Sequence, residues 1–592
     1  MTDPQGVTVH FVLRNRNPLP LAELSKGLIR MSIAEFSEKY GADPAALDGF
    51  VKFVEEKGLT VVDQNQAWRT VSLQGSAESI LGLFPLPPKI AQVVEGVFDL
   101  PLPPSTVDTA ATAAQPKPTG YGVLKASVPA ALQAAAAFER RGGTPSSPVP
   151  RSVAPDSRGG TPSPPLPPVP IVPSYTPPQF ADFYDFPANL GKGECVGVLE
   201  LGGGYQASDM ETFFDTLGIE MPKIIDVGPN KWATDPSVFW INFEVTMDVQ
   251  IVASCVPEAT TVVYFAGAQT DAEITAWTFY KLFCMSLFDE VNTPSVLTLS
   301  GGLPENLTLF WTLQEAQMIN NLLPSASALG VTVCLPSGDS GSIYPAYSGM
   351  FAAPTIPYFP GSSPWVLCCG GTTLNIVELG LVQEEKVWNR LANHMWNLYL
   401  IGETYYPGPP PVNNPPPSLY PKFSIVPSNL GAGSGGVSWY FDLPWFQEQA
   451  AVPVFQVWNF VNWAFEGQQT IRGRGVPDIA ANADFLTGYR VFIDGQWRNG
   501  GGTSASTPLM ASLMARCNQA LGQSLGYITP VLYSLKLDSG VEIFNEIAGN
   551  NGGYEAHKGD YWNPCVGLGS PKGKALLEAL RSFFQAEYAT KP

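Results

Sequence analysis

Five apolar runs constrain this chain more than any other feature: "CVGVLEL" (195–201), "TTVVYFA" (260–266), "SVLTLS" (295–300), "VTVCLPS" (331–337) and "PWVLCCG" (364–370). They do not alternate, as strands with one wet face do. Nearly continuous apolar runs separated by helical stretches become parallel strands covered on both faces, a doubly wound α/β sheet. In such sheets functional groups gather beyond the carboxyl ends of the strands. Glu200 and "SGDSG" (337–341) fall there.

The 592 residues are too many for one ordinary domain. Residues 1–104 read as a small α+β unit. "VTVHFVL", "LTVVDQ" and "RTVSLQG" are strand-like, and "SIAEFSEKYG" and "ALDGFVKFVEEKG" have helical apolar spacing and end in glycine. "SAESILGLF" and "PKIAQVVEGVF" are expected to be further helices. From 105 to 172 Pro, Ser, Ala and Thr dominate, and "PSPPLPPVP" should be extended and stiff. This is a linker, either a passive spacer or a segment lost on processing, with Arg140-Arg141 and Arg158 open to cleavage. Residues 173–592 form the large unit, interrupted by a Pro-rich insertion at 390–434.

Composition excludes several partners. The 52 carboxylates outnumber 33 Lys plus Arg, and no basic stripe appears, so nucleic acid is not expected to bind. No run of about 20 apolar residues is present, so no membrane span is expected. The N-terminus lacks a basic stretch followed by an apolar one, so no secretory signal is visible. The eight cysteines show no metal-ligand spacing and read as buried thiols.

"GGTSASTP" (501–508) puts Ser504 in the setting of a nucleophile turn, and such a serine needs a base. The chain has three histidines, and none follows a strand in an His-Gly-Thr context. His10 is in the small unit, His394 in the insertion and His557 in a Gly/Asn-rich loop. A carboxylate can take the role. "NFEVTMDVQIVASCV" (242–256) reads as a helix with Glu244 and Asp248 four residues apart, on one face. Like charges there repel in water, but among apolar neighbours two carboxyls share a proton. Such a base works in acid, where an imidazole is cationic. Asp339 of "SGDSG", if protonated, can donate to an oxyanion beside the backbone N–H of Ser504.

Together these residues resemble the sedolisin family of serine-carboxyl peptidases, and most closely its kumamolisin-like members. "ELGGGY" (200–205), "FEVTMD" (243–248), "SGDSGS" (337–342), "VWN" (387–389), "GGVS" (435–438), "RGVPDIAANAD" (474–484), "GGTSASTP" and "CVGLGSPKG" (565–573) come in the family's order. The resemblance implies a subtilisin-like catalytic domain preceded by a ferredoxin-like propeptide. It implies an acid-active endopeptidase made as an autoactivating zymogen, acting outside the cell as a monomer on peptides or denatured protein and held by its own propeptide. It makes Ser504 the nucleophile, Glu244 the general base and acid, Asp248 the group that orients Glu244, Asp339 the oxyanion partner and Glu200 an accessory carboxylate.

Two departures stand out. Where relatives have Ser-Trp-Gly, this chain has Ser300-Gly301-Gly302. The family's calcium site maps to 541–573, where Glu546 and Asn563 replace two aspartates and Ile547 and Gly559 offer carbonyls. Losing one carboxylate weakens calcium binding. Either one structural calcium is kept, or the nearby ammonium of Lys558 stands in for it. The departures also leave room for an impaired homologue that serves as a binding or scaffold protein.

Overall fold

The computed structural model describes residues 6–101 and 174–590, apart from 28, 235–238, 271–272, 306–311, 343–356, 378–380, 391–430, 462–463 and 539. The linker at 105–172 and most of the insertion, with His394, lie outside the described residues.

The five runs form the middle of an eight-stranded sheet. Its order is Leu381–Val387, Leu367–Val377, Thr332–Pro336, Val296–Leu299, Cys195–Gly202, Thr260–Ala268 and Lys223–Val227, with Ile479–Asn482 pairing beside Leu367–Val377. Every pairing is parallel except that of Leu381–Val387. The central strands are buried almost throughout because helices cover them. The edge strands Lys223–Val227 and Leu381–Val387 were not evident from sequence: each carries charged residues that face solvent, which breaks the apolar run. Thr503–Leu521 lies across the centre of the sheet with Phe239–Cys255 packed against it. All eight cysteines are free, and all but the half-buried Cys195 are buried.

The small unit is a four-stranded antiparallel sheet in the order Thr60–Asn65, Thr70–Gly75, Val7–Leu13, Val94–Phe98, carrying helices Ile33–Tyr40 and Pro44–Glu56. This is the strand order of a ferredoxin-like unit. One expectation fails here. Of "PKIAQVVEGVF", only Pro88–Ala91 is helical, and Val94–Phe98 is a strand. Its alternating burial and its pairing with Val7–Leu13 override the helix-like spacing.

The small unit docks on helices Ala276–Leu287 and Leu313–Leu322 of the large one. Val12, Leu24, Phe36, Tyr40 and Phe98 belong to the large unit's core. Phe98 packs against Trp277 and Tyr280, with ring centroids 5.8 and 5.2 Å away. Arg69 pairs with Glu95, which also accepts from Asn321 Nδ2 at 2.7 Å. The His10 ring stacks on Trp277 at 3.9 Å, with Ser72 Oγ 2.8 Å from Nδ1 and Asp99 3.9 Å from Nε2.

Candidate active site

Two helices, two loops and the end of a strand meet at the carboxyl ends of the central strands. Glu200 closes the strand Cys195–Gly202 and is 4 % exposed. Glu244 and Asp248 lie one turn apart on Phe239–Cys255, a helix apolar on nearly every side. Such a helix is buried all round, so its carboxyls cannot turn to water. Asp248 is fully buried, and Glu244, nearer the helix start, is half-buried. Ser504 sits in the first turn of Thr503–Leu521, also half-buried, with its hydroxyl beside the Glu244 carboxyl.

The nucleophile turn is held from both sides. Gly502 has φ +85, a conformation that disfavours a side chain, and a Cβ there would lie 2.5 Å from Asp339 Oδ2. Asp339 Oδ1 accepts from Thr503 N and Thr503 Oγ1, both at 2.7 Å, and Thr503 Oγ1 accepts from Gly338 N at 3.1 Å. The loop after Thr332–Pro336 is thereby tied to the start of the serine helix, with Asp339 Oδ2 left beside it. Pro508 explains a further contact. It lies inside the helix and has no N–H for the carbonyl of Ser504, four residues back. Ser300 Oγ supplies the missing donor at 3.0 Å. Sequence reading missed Ser300 and Thr503. Thr503 was visible in "GGTSASTP", but the need for Ser300 shows only once Pro508 is known to sit in the helix.

The carboxyls hold protons more tightly than usual. Burial pushes Glu244 up to about 8; the Ser504 hydrogen bond opposes this and the Asp339 charge adds to it. Asp248 is raised well above the usual range by burial, then by Glu200 and Glu244, against a small pull from Ser300. Glu200 is raised well above it by burial and by Glu244. Burial raises Asp339 too, opposed by its Thr503 hydrogen bonds. Both Asp248 oxygens, Glu200 Oε1 and Glu244 Oε1 are buried without a hydrogen bond of good geometry. Buried carboxylates in that state are costly, whereas neutral acids sharing protons are not. Glu244, the least raised of the three, yields its proton first. Of the histidines among the described residues, His10 is committed to the Trp277 stack and His557 is exposed in the C-terminal loop.

At position 301 a Cβ would come within 2.9 Å of Leu201 Cδ1 and 3.1 Å of Leu299 Cδ2. Leucine side chains thus crowd the point where relatives carry tryptophan. Glu200 keeps its place beside Glu244 and Asp248 without that residue.

The four residues expected to bind calcium also come together. Glu546, Ile547, Gly559 and Asn563 line one small cavity. They do not fit the ion. Asn563 Oδ1 already accepts from Cys565 N at 3.1 Å and Val566 N at 3.0 Å, which occupies both its lone pairs. Among the described residues no three His, Cys, Asp or Glu side chains converge as a metal site. Calcium takes six to eight oxygens. Lys558 is exposed and does not line the cavity, so it is not the substitute cation.

A doubly wound parallel sheet with a serine on a helix N-terminus, facing buried carboxyls and no imidazole among the described groups, defines a subtilisin-like scaffold of the serine-carboxyl kind. The chain belongs to the sedolisin family and is kumamolisin-like. It is 36% identical to Kumamolisin of Bacillus sp. (strain MN-32) over 419 residues, 69% of this chain and 64% of that one. It is 26% identical to Sedolisin of Pseudomonas sp. (strain 101), over 69% of this chain and 61% of that one. The chain thus spans less than two thirds of either relative's length. The structure of Pseudomonas sedolisin complexed with pseudo-iodotyrostatin superposes with a TM-score of 0.53 at 24% identity, over 69% of this chain and 98% of that one, and shows the shared fold. No protein-family model matches the chain.

Proposed function

We propose that this chain is a serine-type endopeptidase that cleaves peptides and unfolded proteins through an acyl-enzyme. The observation that carries this is the placement of the Ser504 hydroxyl beside Glu244 in the carboxyl cluster. Glu244 takes the Ser504 proton as Oγ attacks the carbonyl, then passes it to the leaving amine. Asp248 and Glu200, buried and neutral, hold Glu244 in place. The oxyanion meets the Ser504 N–H, which has no acceptor within the helix, and a protonated Asp339. The intact contact favours catalysis over a binding-only role. By analogy with its family, the chain acts outside the cell as a monomer, and the small unit is a prosegment removed by cleavage within 105–172.

The pH profile tests this reading. The active form needs Glu244 ionised and Asp339 protonated, the reverse of their order of acidity, so its population stays small but still peaks between the two pKa values. kcat/KM should rise as pH climbs through the raised Asp339 value and fall above about 8. Asp339→Asn donates at every pH. Its profile should lose the falling limb and climb through about 8 with Glu244 ionisation. An Asn variant that keeps the wild-type optimum removes Asp339 from the mechanism.

A further inference from the structure

The cavity in the 541–573 loop holds a cation that the chain itself supplies. Lys536, on the helix Thr529–Asp538, lines it together with Glu546, Ile547, Gly559 and Asn563. Its Nζ is 3.4 Å from the carbonyl oxygen of Leu568, another lining residue, and 5.7 Å from the Phe544 ring centroid. Burial lowers its pKa, while the Glu546 and Glu542 charges oppose that. The half-buried ammonium thus has a carbonyl and an aromatic face as partners, and the Glu546 charge favours it from beyond ion-pair contact.

We propose that the Lys536 ammonium occupies the role of a bound divalent ion and that this loop is metal-independent. The charges agree. Two carboxylates line the cavity, Glu546 and Asp560; Asp560 Oδ2 accepts from His557 N at 2.7 Å, and Glu546 is the lining carboxylate whose charge acts on Lys536. The connections agree as well. The Lys536 ammonium joins a helix to a loop whose short strands Phe544–Asn545 and Ser570–Pro571 pair with each other. Asn563 Oδ1, turned onto two backbone N–H groups, closes the turn from within and faces no ion. A divalent ion entering here would meet the ammonium at close range, and the repulsion would be strong in a partly desolvated site.

The test uses the whole chain and needs no enzymatic activity. Protein purified without chelator is expected to contain no stoichiometric calcium by elemental analysis, and neither EGTA nor excess calcium should move its Tm. Lys536→Met should lower the Tm by a few degrees, Lys536→Arg should restore most of the loss, and Lys558→Met on the exposed neighbour should do nothing. The double variant Lys536→Met with Asn563→Asp should gain calcium-dependent stabilisation and a calorimetric calcium titration. Stoichiometric calcium in the wild type, or a Tm lowered by EGTA, overturns the proposal. So does a Lys536→Met protein with the wild-type Tm. Because the readouts are metal content and Tm, failure here would leave the peptidase reading standing, and the reverse holds too.

Discussion

Glu244→Gln is expected to reduce kcat by on the order of 10^4- to 10^6-fold, about as much as Ser504→Ala. An amide cannot take the serine proton at any pH, so no change of pH should restore the activity. The two residues act as one unit in the proton transfer, so the double variant should be no worse than either single one. Additive losses in that cycle would mean that the two groups serve different steps. Stability gives a second readout that a merely structural role would not predict. Glu244 has a folded-state pKa of about 8 against an ordinary 4.5. Its stabilising contribution is therefore complete below about 4.5 and is lost as pH rises towards about 8. The wild-type Tm should decline over that range, and Glu244→Gln should flatten the decline while leaving the Tm in acid unchanged. A variant with full activity and the wild-type slope would show that Glu244 is not the base.

The central sheet was legible because its strands are buried on both faces, so each reads as a local apolar run with no partner needed to recognise it. The edge strands were not, because Lys223–Val227 and Leu381–Val387 carry charge and show themselves only through pairing. The carboxyl cluster was legible for a different reason. Glu244 and Asp248 repeat at helical spacing in an apolar segment, and the chain offers few histidines as rivals. Ser300 and Lys536 were hidden because their roles depend on distant partners. Ser300 matters through Pro508, and Lys536 reaches the loop from the helix before it, whereas Lys558, close to Gly559 in sequence, is exposed and does not line the cavity. Local chemistry could be read from the chain; the choice between two lysines needed the fold.

His10→Phe should make docking of the small unit insensitive to acid. Burial and the nearby Lys281 charge lower the docked His10 to about 4, from an ordinary 6.5. The docked form therefore resists protonation, and the small unit when undocked does not. The sign follows: docking is unaffected above about 6.5 and weakens as pH falls towards about 4, by up to about 300-fold. Lys281 shifts in the same sense but from far above this pH range, whereas two carboxyls at the contact act in the opposite sense. Burial raises both Asp99 and Glu315, so acid favours their docked forms. They act between the ordinary carboxylate range and their raised docked values, so they offset part of the histidine effect, and the difference between the two proteins isolates the share of His10. Phenylalanine keeps an aromatic face on Trp277 and gives up the Ser72 and Asp99 contacts. In the full-length Ser504→Ala background, where no self-cleavage should intervene, hydrogen exchange can be followed over Ala276–Leu287 and Leu313–Leu322. Compared at equal pH, the two proteins should protect these helices alike at pH 7, and the phenylalanine variant should retain far more protection near pH 4. Equal loss in both would remove His10 as the sensor and leave the apolar contact of Phe98 with Trp277 and Tyr280 to set the strength of docking at every pH.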